Sequence, residues 1–137
     1  MTISQKNLYR IIDVNFNRAK EGLRVCEDVS RYILNDKPIT LAAKKLRHQL
    51  TQIISPLKLL ELLAARRIES DAGRGSIPLE LKRKKIADIF WANAQRAKES
   101  IRVLEEFMKL VDQTSAQKLK LLRYKFYALE KRVAQKI

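Results

Sequence analysis

The sequence predicts an all-α protein of about five helices, built by duplication of a long-helix hairpin with an approximate internal two-fold. Three observations predict it. Strong helix formers (Leu, Ala, Lys, Arg, Glu and Gln) dominate. Glycine and proline occur only three times each in 137 residues, too few for a β-rich fold, which needs turn residues roughly every 8–12 positions. A polar string also recurs: NFNRAKEGLRVCED at 15–28 returns as NAQRAKESIRVLEE at 93–106, 78 positions on.

The first helix is expected from about Gln5 to Leu34. Ile12, Phe16, Ala19, Leu23, Cys26 and Ser30 recur on it at steps of three and four, which draws one apolar stripe. NDKP at 35–38 ends it, because proline disfavours helical geometry in the residue before it. A second helix follows over about Ile39–Ile54. Ser55 and Pro56 read as an N-cap and first helical position for a short, nearly all-apolar third helix, LKLLELLAARRI. ESDAGRGSIP at 69–78 carries Gly73 and Gly75 and is the one real loop. A long fourth helix is expected over about Leu79–Val111, a break at DQTS (112–115), and a last helix from Ala116 to the end.

The repeat extends into the return helices. KKLRHQL at 44–50 aligns with KLLRYKF at 120–126, at a spacing of 76. One domain over 1–137 is therefore expected, with halves at about 5–54 and 79–137 joined by 55–78. Such a length buries a single core without staples.

Composition narrows the partners. The lone Cys26 excludes an intramolecular disulfide and fits a reducing, cytoplasmic setting. No apolar stretch approaches about 18 residues, so no membrane span is expected, and MTISQKNLYR lacks the apolar core of a signal peptide. A formal net charge of +14 attracts anions such as nucleic acid or phosphorylated metabolites. KRKK at 82–85 and the last helix carry much of that charge, yet no nucleic-acid-binding signature accompanies them. The sequence leaves oligomeric state open.

On a helical wheel Asn15, Arg18, Gly22, Val25 and Val29 share an arc of about 80° beside the apolar stripe. Glu21 and Asp28 flank that arc and Arg24 lies further out. The second copy repeats the row as Asn93, Arg96, Ser100, Val103 and Phe107, flanked by Glu99 and Glu106. Two readings stand side by side. In one, the arginines pair with carboxylates in a structural network, since a buried arginine must be compensated. In the other, the two rows face a shared cleft between helices one and four. Arg18 and Arg96 then bind phosphate, while Glu21 and Glu99 polarise the substrate or hold metal.

Gly22 and Ser100 suggest close helix approach or room for a ligand; mid-helix glycine costs roughly 0.5–1 kcal/mol relative to alanine. Arg74, within SDAGRGS at 70–76, invites a backbone anion nest. His48, with Tyr124 as its counterpart, reads as an amphipathic packing residue. Cys26, with Leu104 opposite, reads as core. Neither supports a zinc site.

RIIDVNFNRAKEGLRVCEDVSRYIL, LLAARRIESDAGRG and WANAQRAKESIRVLEEFMKL together resemble an all-helical domain found at the N-terminus of some bacterial thiamine-phosphate synthases and also free-standing. That family is assigned as an alternative hydroxymethylpyrimidine-phosphate kinase. The resemblance covers nearly the whole chain. It implies ATP and Mg²⁺ as cofactors, a small phosphorylated pyrimidine as substrate, and thiamine-phosphate synthase as a functional partner. Matching positions carry over as Asp13, Asn15, Asn17, Arg18, Glu21, Gly22, Arg24, Glu27 and Asp28, then Asn93, Arg96, Glu99, Arg102, Glu105 and Glu106, with Asp71 and Gly73 in the loop. It thereby implies substrate or phosphate contacts for Asn15, Asn93, Arg24, Arg102, Asp71 and Gly73, and the loop reading adds Arg74. Arg67 departs from the pattern, standing where the family has an acidic residue. The synthase barrel has no counterpart in these residues, so synthase activity is not expected of them. The alternative is a non-catalytic basic helical module that docks on thiamine enzymes or binds nucleic acid.

Overall fold

A computed structural model describes all of residues 1–137. Five helices form and no strand: α1 (Gln5–Asp28), α2 (Lys37–Ile54), α3 (Leu59–Ala65), α4 (Ile86–Met108) and α5 (Gln113–Ala134). Side chains close the orphan amides of the helix starts. The Ser4 hydroxyl accepts from the Asn7 amide at the head of α1. The Asp36 carboxylate accepts from Ile39 at α2, and Asp112 from Thr114 and Ser115 at α5. The expected single helix to Leu34 ends instead in a π turn over Val29–Ile33, where the Leu34 amide reaches the Val29 carbonyl at 3.0 Å. Asn35 then turns the chain at φ 50°, a conformation that asparagine tolerates.

Other expected boundaries shift: α4 ends at Met108 rather than Val111, and α5 starts at Gln113 rather than Ala116 because Asp112 caps it. Ser55 does not open the third helix. Its amide bonds the Thr51 carbonyl and its hydroxyl the Gln52 carbonyl, so it closes α2, and α3 starts at Leu59. The fourth helix starts at Ile86 rather than near Leu79. Pro78–Leu81 forms one isolated 3₁₀ turn. The run Lys82–Lys85 would place like charges in a helical first turn, against the helix dipole. Asp88 instead caps α4 by accepting from the Lys84 and Lys85 amides.

The central contact is α1 on α4. α2 packs on α1, α5 packs on α4, and α2 and α5 pack on each other. Exchanging α1 and α2 for α4 and α5 leaves that pattern unchanged, as the duplication requires. α3 packs on α1 and has no counterpart. The core of 24 buried apolar residues draws on all five helices. Ile12, Ala19, Leu23 and Cys26 are buried on α1, and so are their repeat mates Phe90, Ala97, Ile101 and Leu104 on α4. A Cβ on Gly22 would lie 2.8 Å from the Asn93 carbonyl oxygen and 3.2 Å from the Ala97 Cβ. Close helix approach therefore accounts for this glycine.

The duplication also buries two carboxylates. Glu27 accepts Arg47 Nε at 2.9 Å and Nη2 at 3.3 Å, with Arg24 Nη1 at 3.1 Å. Glu105 accepts Arg123 Nε at 2.8 Å and Nη2 at 3.4 Å, with Arg102 Nη1 at 3.0 Å. Each long helix is thus tied to its return helix by the same charged triad. Glu105 and the Tyr127 hydroxyl hold the Arg123 guanidinium protonated well beyond its ordinary range. No buried side-chain nitrogen or oxygen lacks a partner.

Candidate anion-binding groove

The site emerges where the two halves stop matching. Arg10, Asp13 and Asn17 on α1 correspond by the repeat to Asp88, Trp91 and Gln95 on α4. α3, present only on the α1 side, delivers Arg66 to that divergent face. The Asp13 carboxylate is buried and accepts Arg66 Nε at 2.7 Å and Nη2 at 2.8 Å, in the bidentate geometry that suits a guanidinium. The Asn17 amide adds a donor at 3.2 Å. Asp13 raises the Arg66 pKa above its usual value, through hydrogen bonding first and charge second.

Beside this pair lies an open groove of about 890 Å³, within the range of small-molecule sites. Met1, Ile3, Ile11, Val14 and Ile68 give it an apolar end. Arg10, Arg18, Arg66, Arg67 and Arg74 give it a cationic one, with Glu21 and Asp71 as its further acidic groups. Arg10 Nη2 reaches the Ser70 carbonyl at 3.5 Å. Arg18, Arg67 and Arg74 line the groove with no carboxylate partner, whereas Arg24, Arg47, Arg96, Arg102 and Arg123 are all paired elsewhere.

The expected residues divide. Arg18, Glu21, Asp71 and Arg74 meet in the groove. Asn15 and Asn93 donate to the carbonyls of Ile11 and Ile89, one turn back in their own helices. Arg96 lies across the helix pair from Glu21, at 4.0 Å, and lines no part of the groove. Glu99 is exposed and accepts from Gln95. Arg24 belongs to the Glu27 triad. Arg102 bonds Glu105 and Glu106 and edges a separate shallow hollow with Lys109 and Lys120.

The two rows therefore do not enclose one shared cleft, because close packing at Gly22 shuts the α1–α4 seam. They do not form one buried network either, since the arginines and Glu21 are exposed. The backbone nest expected around Gly73 does not form: the Gly73 amide donates to Asp71 Oδ1 and the Arg74 amide to the Asp71 carbonyl. His48 and Tyr124 both lie at the surface rather than in packing positions. In the sequence Arg66 and Arg67 show only as cations just before the Gly-containing loop, and Arg10 lies outside the repeated string. The signal that marks them is the loss of repeat at positions 10, 13 and 17.

No group of three or more His, Cys, Asp or Glu side chains converges in the structure. Mg²⁺ commonly binds through one or two carboxylates plus substrate phosphates. Glu21 and Asp71 are the groove's carboxylates outside the Arg66 pair.

The fold and groove define an internally duplicated all-helical protein with an arginine-lined groove on its asymmetric side. Residues 10–132 match the ThiD2 family, and the chain belongs to that family. It is similar to the thiamine-phosphate synthase of Nostoc punctiforme (strain ATCC 29133 / PCC 73102), at 40% identity over 92% of this chain and 35% of that protein. The thiamine-phosphate synthase of Thermosynechococcus vestitus is 38% identical over 91% of the chain and 35% of its own length. That of Rhodopirellula baltica is 34% identical over 90% and 33%. The chain thus spans about a third of the length of these curated relatives. No solved structure matches it, and no helix is long and apolar enough to cross a membrane.

Proposed function

We propose that this protein is a phosphotransferase of thiamine biosynthesis, converting hydroxymethylpyrimidine phosphate to its diphosphate with ATP and Mg²⁺. The observation that carries the reading is the set of three unpartnered guanidinium groups, Arg18, Arg67 and Arg74, around one groove with an apolar end. Arginine's planar fork suits phosphate oxygens, and an apolar wall suits a methylated pyrimidine ring. Membership of the ThiD2 family and relatives named thiamine-phosphate synthase supply the metabolic context.

The chemistry asks little of a general base. An oxygen of the substrate's monophosphate attacks the γ-phosphorus of ATP, a P–O bond forms there, and the bond to the β-phosphate oxygen breaks to release ADP. A monophosphate with a second pKa near 6 is largely ionised at neutral pH, so the attacking oxygen already carries its charge. Catalysis then rests on positioning and charge stabilisation. Arg18, Arg67 and Arg74 hold phosphate oxygens in line, Arg10 supports the loop, and Arg96 orients Glu21. Glu21 and Asp71 would meet Mg²⁺ carried on the nucleotide, and that ion would supply charge neutralisation at the phosphates. Purified protein with ATP, Mg²⁺ and hydroxymethylpyrimidine phosphate should yield the diphosphate and ADP by phosphorus NMR. Absence of transfer from any nucleoside triphosphate would sink the reading.

The exposed run Lys82–Lys85 favours a second reading, a non-catalytic basic module that binds nucleic acid or docks on thiamine enzymes. Affinity for duplex DNA or RNA that collapses steeply with salt would support it.

A further inference from the structure

Residues 66–86 are exposed throughout. Every backbone hydrogen bond that residues 67–85 make is local, to residues three or four positions away. From Arg66 to Arg83 only two side-chain hydrogen-bonded links reach the helical body: Arg66 to Asp13 across 53 positions, and Arg10 to the Ser70 carbonyl across 60. The second is long and exposed, at 3.5 Å. The first is short, bidentate and anchored on a buried carboxylate.

The buried ion pairs of the frame occur twice, as Glu27–Arg47 and Glu105–Arg123. The Asp13–Arg66 pair occurs once, and Trp91 stands at the position matching Asp13. The duplicated bundle therefore needs no carboxylate at this register. What Asp13 adds is the placement of a loop that carries Arg67 and Arg74 into the groove.

We infer that Asp13 is a positioning residue of the anion site, acting through Arg66 as the strap that sets the arginine-bearing loop against α1. This rests on the groove's being an anion site, as proposed above, but not on turnover. Both Asp13 carboxylate oxygens are taken by Arg66, so Asp13 acts on the groove through that guanidinium. Its carboxylate fixes the guanidinium of Arg66 at the C-terminus of α3, and the chain that follows inherits that placement. Loss of the strap leaves the bundle intact and disperses Arg67 and Arg74 from the groove.

The test uses the full chain with Asp13→Asn, Arg66→Gln, both together, and Arg66→Lys. Limited trypsin digestion, read by mass spectrometry, follows cleavage after Arg74 and at Lys82–Lys85. Calorimetry with inorganic pyrophosphate reads the site without requiring catalysis. Asp13→Asn is expected to speed loop cleavage and weaken pyrophosphate binding, each about tenfold, with the thermal midpoint nearly unmoved. Arg66→Gln and the double variant should match it in cleavage and binding, because the pair acts as one unit. Arg66→Lys should recover part of both. The double variant leaves no uncompensated buried charge, so it keeps the test decisive if Arg66→Gln alone melts.

Unchanged cleavage in Asp13→Asn, or single effects that simply add in the double variant, overturns the strap. Faster cleavage with undiminished pyrophosphate affinity overturns the positioning role. A wild-type chain that binds pyrophosphate in a strap-dependent way yet transfers no phosphoryl group leaves this inference standing while the kinase reading falls.

Discussion

Arg47 grips the buried carboxylate of Glu27 from two nitrogens, Nε at 2.9 Å and Nη2 at 3.3 Å, and so ties α2 to α1. The second half reproduces the relationship with Arg123 and Glu105. Repetition of the charged residues at positions 24, 27 and 47 thus marks the frame. The exposed, unpartnered arginines lie where repetition fails or where no pairing partner follows.

Arg47→Ala leaves Glu27 with only Arg24, itself half exposed. Removing one partner of a buried pair is expected to cost about 3 kcal/mol. For a domain of this size that lowers the thermal midpoint by about 10 °C. Arg123→Ala should behave alike, and neither should alter pyrophosphate affinity. Calorimetric melting of both variants checks this; a midpoint within about 2 °C of wild type would remove the triads from the stability argument.

Arg18→Ala should act in the opposite way. Its side chain is exposed and bonds no carboxylate, so little stability is expected to go with it, within about 0.5 kcal/mol. Loss of one charge-assisted phosphate contact is expected to lower kcat/KM by about a hundredfold. Circular dichroism melts beside the phosphoryl-transfer assay separate the two effects. A variant that melts early and keeps its activity would move Arg18 into the frame.

Helix number, the duplication and the core stripe were legible because period and composition report burial directly. Ile12, Ala19, Leu23 and Cys26 follow the helical repeat and are all buried. The start of α4 was less legible: apolar Leu79 and Leu81 suggest a helix, yet the cation run postpones it to Ile86. The site was half legible. Arg18, Glu21, Asp71 and Arg74 carry visible charge at suggestive positions. Whether an arginine on a wheel meets a carboxylate, a neighbour's backbone or open solvent depends on which helix crosses it. Only the packing of α3 on α1, which has no repeat counterpart, decides that.

Gly22→Ala tests the seam. Helix propensity alone favours alanine by up to about 1 kcal/mol. The added Cβ would meet the Asn93 carbonyl oxygen at 2.8 Å, and that atom is backbone, so the helices must separate. Overpacking of this kind costs about 1–3 kcal/mol, and the clash wins. Denaturant titration should show a net loss of about 1 kcal/mol; a stabilised variant would mean that α1 and α4 sit further apart.

Cys26 gives a pH-dependent handle on the same core. Burial first, and the nearby charge of Glu130 second, push its thiol from 9.0 up to about 12. The folded protein therefore keeps the proton, while the unfolded chain releases it above about pH 9. Proton release then favours the unfolded state, so stability falls as pH rises from 9 toward 12 and this contribution is flat below about pH 8. Cys26→Ala removes the effect, at a small cost for a smaller buried side chain. Urea titrations of both proteins between pH 7 and 10 should show the wild type losing stability faster than the alanine variant above pH 9. Labelling by an aromatic disulfide reagent should likewise be slow in native protein and track the unfolding rate. Parallel pH profiles for the two proteins, with prompt labelling of the native thiol, would place Cys26 outside the dry core.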